Sequence, residues 1–225
     1  MSLTKLTAIV AASIFAACAN AQFSTVDRNW DHTTSATAGA TVSSTNSGSS
    51  IEDFIGSFKA LPGTQGDAFA NSDIKYINGP GSHTLAVDNN TAFGPHTANV
   101  SATSNAEATW IFNLATQSQW TFSGTFTKVG NGTGSVELDF DDNGSWVNLA
   151  SFTDSGKSTL ALGPGSYRMV VTSDLLSSAN GSGNAFSESM KVGASLVQPV
   201  PEPATMLSLA IGSAWLLRRR KSRRD

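Results

Sequence analysis

Cysteine is almost missing from this chain: the single one, Cys18, lies within the first 21 residues. The segment that follows therefore has no disulfide, no thiolate nucleophile and no zinc–thiolate site available. Basic residues are also scarce there. Between Gln22 and Pro199 there are seven, against fifteen Asp and Glu, a net charge of −8. Nucleic-acid binding needs clustered Lys and Arg to displace counterions, so that function class is excluded, as is peripheral attachment to an anionic membrane. The three histidines, His32, His83 and His96, are far apart and show no metal-ligand spacing. There is no G-x-S-x-G elbow, no P-loop and no dinucleotide fingerprint. Helical periodicity is scarce as well, confined to Ile51, Phe54, Ile55 and Phe58, which suggest one short helix-like patch over 51–61.

What is present is concentrated at the two ends. Residues 1–21 carry one lysine, Lys5, then an uncharged apolar stretch from Leu6 to Ala17 and the small-x-small sequence Ala19-Asn20-Ala21. This is the pattern of a secretory signal peptide removed by signal peptidase. Phe15-Ala16-Ala17-Cys18 is a poor version of a lipoprotein box, which would instead lipidate Cys18. At the other end, residues 198–225 contain Pro201-Glu202-Pro203, an apolar run Ala204–Leu217, and a basic end over 218–224 that includes Arg218, Arg219 and Arg220. Fourteen helical residues extend about 21 Å, short of a roughly 30 Å hydrocarbon core. The prolines and the basic cluster nevertheless demarcate the run, and snorkelling arginines with local thinning accommodate the missing length. The positive-inside rule then puts the basic end in the cytoplasm and the body outside.

This tail resembles the PEP-CTERM sorting signal of diderm bacteria, on the strength of Pro201, Glu202, Pro203, the apolar segment and the terminal arginines. The resemblance covers about the last 25 residues. It implies a partner, exosortase, a membrane-embedded cysteine transpeptidase that removes the tail near Pro-Glu-Pro. It also implies a route: transient anchoring in the inner membrane, then the cell surface or extracellular space of bacteria that make exopolysaccharide and biofilm matrix. A sorting tail specifies a destination and no activity.

The body, 22–197, reads as one all-β domain. Trp30–Ser50 is small and polar, suiting a Thr-rich edge strand or an extended arm within 22–50. From residue 84 onward short strands alternate with turns. Trp120, Phe122 and Phe126 share one face of 119–128, while Val136, Leu138 and Phe140 alternate with Ser135, Glu137 and Asp139. Met190, Val192, Ala194 and Leu196 repeat the pattern near the end. Regular short strands with Gly- and Asn-rich turns predict an antiparallel β-sandwich, jelly-roll-like, flanked by the signal peptide and one C-terminal hydrophobic helix. Leu162-Gly163-Pro164-Gly165-Ser166-Tyr167 resembles a hairpin common in exported bacterial sandwiches.

Chemistry is thin. Asp139, Asp141 and Asn143 before Gly144 match the opening of a calcium loop, although position 12 is Ala150 and an EF-hand is excluded. The preferred reading is a solvated acidic type I′ hairpin, with no cofactor. Trp30-Asp31-His32 suggests a surface turn before it suggests a general base. Glu107, Glu137 and Asp139 would suit a glycosidase acid pair only if two of them met across a cleft. Trp146, just after the Asp142-Asn143-Gly144 turn, is the candidate for a rim aromatic stacking on a sugar, whereas Trp120 is expected in the core. The expectation is thus a non-catalytic surface or matrix protein, structural or adhesive. A carbohydrate-binding module, with exopolysaccharide as partner, is the alternative, and a glycoside-active hydrolase follows.

Overall fold

The computed structural model describes residues 23–38, 40–49, 54–61, 68–79, 81–97 and 99–198. The segment read as a signal peptide, with Cys18, and the tail with Pro201, Glu202, Pro203, the apolar run and Arg218–Arg220 lie outside the described residues. No helix among those described is long and apolar enough to cross a membrane.

Among the described residues, twelve strands make two six-stranded sheets, antiparallel at every junction. They are β1 (Phe23–Ala38), β2 (Ala40–Ser49), β3 (Phe54–Leu61), β4 (Ala68–Gly79), β5 (Ser82–Phe93), β6 (Val100–Leu114), β7 (Ser118–Val129), β8 (Thr133–Asp142), β9 (Ser145–Phe152), β10 (Gly156–Leu162), β11 (Gly165–Ala179) and β12 (Phe186–Val197). The first sheet runs β2-β1-β6-β11-β8-β9 and the second β10-β7-β12-β5-β4-β3. Taken alone, β5 to β12 form β6-β11-β8-β9 over β10-β7-β12-β5, the eight-stranded double Greek key of a jelly roll. The β1–β2 hairpin widens one sheet and β3–β4 the other.

Two segments depart from expectation. The helix-like patch over 51–61 is a strand where described: Phe54–Leu61 pairs with β4 from Phe54↔Lys75 to Leu61↔Ala68. Its apolar residues satisfy either period over so short a run, and β-favouring aromatics with Gly56 and Ser57 decide for pairing. Of the two readings of 22–50, an edge strand or an extended arm, the structure has strands, and the departure is that there are two and that the first is not at the edge. β1 is an interior strand, held to β6 from Phe23↔Leu114 to Ala38↔Val100, and β2 takes the edge.

The core is aromatic at one end of the sandwich and lean at the other. Trp110, Phe112, Trp120, Phe122, Tyr76 and Met169 are buried in the main cluster, Trp120 as expected. A second cluster of Ala36, Ala68, Ala70, Phe93, Val100 and Ala102 fills the far end. Between them lies a polar layer in which the Asn89 Nδ2 of β5 donates to the Ser104 carbonyl (2.8 Å) and the Ser173 carbonyl (2.7 Å) of the opposite sheet. Buried polar groups are tolerated where such bonds replace water.

Turn chemistry fixes the register. Asp142 pairs with Ser145, leaving Asn143 (φ 56°) and Gly144 (φ 88°) as a two-residue loop, the double positive φ of a type I′ hairpin. In the Gly163-Pro164 turn the Tyr167 hydroxyl donates back to the Gly163 carbonyl at 3.0 Å, bracing the entry to β11.

Candidate functional site

The outward faces of the two sheets differ in charge. Alternation along β1, β6, β8 and β11 turns Asp27, Asp31, Glu107, Glu137, Asp139, Asp141 and Asp174 to the outside of the first sheet, with Arg168 as their basic neighbour. The outer face of the second sheet carries Lys75, Lys157 and Lys191 beside Asp73 and Asp88, and Lys191 Nζ meets Asp88 Oδ2 at 2.6 Å. The acidity read from composition is therefore mostly one face.

On that acidic face the most built cluster lies around the β8–β9 hairpin. Asp139 is 2% exposed. It accepts from Arg168 Nε at 2.7 Å and from Asn148 Nδ2 at 3.0 Å. Arg168 sits in register with Asp139 across β8 and β11, and its guanidinium carbon lies 4.9 Å from the centre of the Trp146 ring. The hairpin register pairs Asp141 with Trp146 and Asp139 with Asn148, so both side chains share the outer face with Arg168, and the bulge between Leu138 and Asp139 comes beyond them, offsetting Ala150. Trp146 is thus a half-buried aromatic held by a cation, with Arg168, Asn148 and Asp139 close by. A planar ring beside hydrogen-bonding groups is the arrangement that accepts a sugar face.

The calcium-loop residues have protein partners. Asp139 serves Arg168 and Asn148, Asp141 Oδ1 accepts the Gly144 backbone N–H at 2.6 Å, and Asn143 Nδ2 donates to Asp142 Oδ1 at 2.9 Å. Among the described residues no three His, Cys, Asp or Glu side chains group as a metal site. The carboxylates considered for glycoside chemistry are spread over an open sheet face. Glu137 pairs with Val170 of β11 while Glu107 pairs with Thr172 on its other side, so their backbones stand about 12 Å apart by strand spacing and rise. Asp31, Glu107 and Asp174 border a shallow depression of about 340 Å³ with Thr33, Asn105 and Thr172.

The histidines are interior groups. His32 is not in a surface turn: it lies within β1, 2% exposed, and alternation puts Asp31 on the opposite face. Burial pushes its pKa down, against the pull of Asp31 and Asp73. His83 stacks on Phe23 with ring centres 3.4 Å apart and contacts Asn78 Oδ1 through Nδ1 at 2.7 Å. Burial lowers its pKa to about 4. His96 contacts the Gly94 carbonyl through Nδ1 at 3.1 Å. Arg28 is an interior cation, 4.8 Å from the Trp110 ring and 5.1 Å from that of Tyr76.

Sequence reading missed Arg168 and Asn148 as partners of Asp139. The alternation of Tyr167, Met169 and Val171 as inward residues carries the signal for Arg168, since it turns residue 168 outward. The signal for Asn148 is the turn itself, since a two-residue loop at Asn143-Gly144 sets residue 148 opposite Asp139.

Comparison with known proteins adds a match at the C-terminus. Residues 199–221 match the PEP-CTERM protein-sorting motif. No curated protein matches the chain in sequence. Among solved structures, the GH31 alpha-xylosidase from Xanthomonas citri aligns over 63% of this chain and 32% of its own, at 8% identity and a TM-score of 0.21. The chain spans about a third of that enzyme, and a likeness this weak carries no argument. The matched segment contains Pro201, Glu202 and Pro203 and extends through Arg218, Arg219 and Arg220. The motif implies export, processing by exosortase and sorting to the cell surface.

Proposed function

We propose that the protein is a non-catalytic component of the cell surface or extracellular matrix, structural or adhesive in exopolysaccharide, released from a transient inner-membrane anchor when exosortase removes its tail. The observation that carries this reading is the sorting motif at 199–221 joined to a jelly-roll body whose outward charge is solvated or ion-paired on open sheet faces. No cofactor is assigned. The test is the intact mass and cell fraction of the protein in a producing diderm host with and without its exosortase. A secreted form that begins at Gln22 and ends near Pro201 only when the enzyme is present supports it. A full-length C-terminus in the inner membrane of both strains defeats it.

The Trp146 cluster favours a second reading, a carbohydrate-binding module on the same fold. Here the ring stacks on a sugar of the matrix while Asn148 and Arg168 address its hydroxyls. The Trp146→Ala variant should lose retention on purified exopolysaccharide without loss of fold, and unchanged retention removes this reading.

A further inference from the structure

The Trp146 cluster carries a charge pattern that decides what kind of glycan it can hold. Outward residues two apart on a strand stand about 7 Å from each other, so Glu137 and Asp141 flank the buried Asp139 along β8. Of these three carboxylates only Asp139 has a cation: its Oδ2 meets Arg168 Nε at 2.7 Å. Arg168 is the only Lys or Arg in β6, β8, β9 and β11, and Asp139 already matches its charge. Among the described residues Glu137 has no hydrogen-bond or ion-pair partner, and Asp141 has only the Asn143-Gly144 turn, through the Gly144 N–H on its Oδ1.

Two uncompensated carboxylates therefore border one aromatic ring. Asp141 is the register partner of Trp146, with Cα atoms about 5 Å apart and both side chains on the outer face. The guanidinium carbon of Arg168 lies 4.9 Å from the ring centre, so the side of the ring it covers is taken by a cation that is itself paired. Trp146 is half-buried and Asn148 exposed, and a ligand on the open part of the ring finds acceptors around it: Asn148 Oδ1, Asp141 Oδ2 and, one row further along β8, the Glu137 carboxylate. A uronate placed there adds a further negative charge within about 10 Å of two others, the screening length at 0.1 M salt. An ammonium group in the same place offsets one of them and also gains from the ring face.

We propose that this corner takes a glycan with free amino groups, a hexosamine polymer, and rejects uronic-acid glycans. The proposal rests on the carbohydrate-module reading above and names the sugar class of that site. Its test is the dissociation constant of the secreted protein, by calorimetry at pH 6, for three oligosaccharides of one length: a glucosamine oligomer, its N-acetylated form and an oligouronate. The glucosamine oligomer should bind at least tenfold tighter than the N-acetylated form, by a margin that shrinks as salt rises, and the oligouronate should show no saturable binding. Trp146→Ala should weaken binding of the glucosamine oligomer at least tenfold. Glu137→Gln combined with Asp141→Asn, which keeps an acceptor for the Gly144 N–H, should bring the amino and acetylated forms within about threefold of each other. Asp73→Asn, on the other sheet, should change neither. Equal affinity for the two forms, saturable binding of the oligouronate, indifference to Trp146→Ala, or an oligolysine held as tightly as the amino glycan each overturns the proposal. Failure of all three glycans to bind overturns the carbohydrate-module reading, and the sugar class with it.

Discussion

Acid should loosen this fold through His83. Asn78 Oδ1 can only accept, so the proton of neutral His83 lies on Nδ1, and Nε2 is buried without a hydrogen-bond partner. A second proton would have to enter among Phe23, Trp110 and Trp120. Burial accordingly takes the folded pKa from 6.5 to about 4. Between those values the unfolded chain carries the proton and the folded chain does not, so stability rises with pH in that window. The contribution is whole above pH 6.5 and is lost as pH falls through 6.5 toward 4. At 1.36 kcal/mol per pKa unit the loss is on the order of 3 kcal/mol, or roughly 6–12 °C in Tm for a domain of this size. The folded pKa of His32 is lowered too, so it acts in the same direction. Thermal unfolding of the secreted body at pH 7.5, 6 and 4.5, beside His83→Phe, isolates the effect. The variant keeps an aromatic stack and loses the titration, so its Tm should fall less steeply with acid. Parallel slopes for the two proteins refute the reasoning.

Gly124 lies where the sheets approach closely: a Cβ there would sit 2.7 Å from Val136 Cγ2 and 3.1 Å from Phe152 Cβ. Gly124→Ala should therefore destabilise by about 1–3 kcal/mol in denaturant titration. Gly144→Ala forces a Cβ into a positive φ with open space around it, so it should cost about 1 kcal/mol through backbone strain alone, with no change in the far-UV spectrum. Removing Arg168 leaves Asp139 buried beside Asn148 only. Because the Arg168 side chain is a third exposed, Arg168→Ala should cost about 2 kcal/mol, less than a fully buried pair, while Asp139→Asn with Arg168→Ala should recover part of it in a double-mutant cycle. Since Asp139 and Asp141 already have protein partners, EGTA should leave Tm unchanged, and a rise of several degrees in millimolar calcium would favour the calcium-loop reading over the plain hairpin.

How far the fold was legible depended on contrast between faces. β7 and β8 could be read directly because Trp120, Phe122, Val136 and Leu138 face inward opposite Ser, Thr and acidic residues. β4 was missed because its inward set, Ala68, Ala70 and Ser72, is as small or polar as much of its outward set, and only Ile74 and Tyr76 carry hydrophobic signal. β1 hid for the same reason: His32 and Thr34 are buried, and a buried strand lined by such residues looks like an arm. These positions line the polar layer held by Asn89, whose bonds cross between sheets over 15 and 84 residues of sequence. Nothing local announces contacts of that range. The Trp146 cluster was half legible for a related reason, the turn that places Trp146 being written in Asn143-Gly144 and the ion pair beneath it being set by strand register.

An exported body without cysteine must close its own ends, and this one does so where both termini emerge. Phe23 follows the expected mature N-terminus at Gln22 by one residue, yet its ring lies 3.4 Å from His83 and 4.4 Å from Phe112, centre to centre. The aromatic half of the core is thereby capped by the first residue of β1, while Gln198 pins the last strand to Gly81 beside it. Shortening the N-terminus past Phe23 would open His83, Trp110 and Trp120 to water together. Phe23→Ala should accordingly cost about 2–4 kcal/mol, with a core aromatic lost and its cavity facing solvent. The same change should also raise the His83 pKa toward its ordinary value, flattening the acid response described above. Loss of stability with an unaltered pH slope would show that Phe23 packs against this end without sealing it.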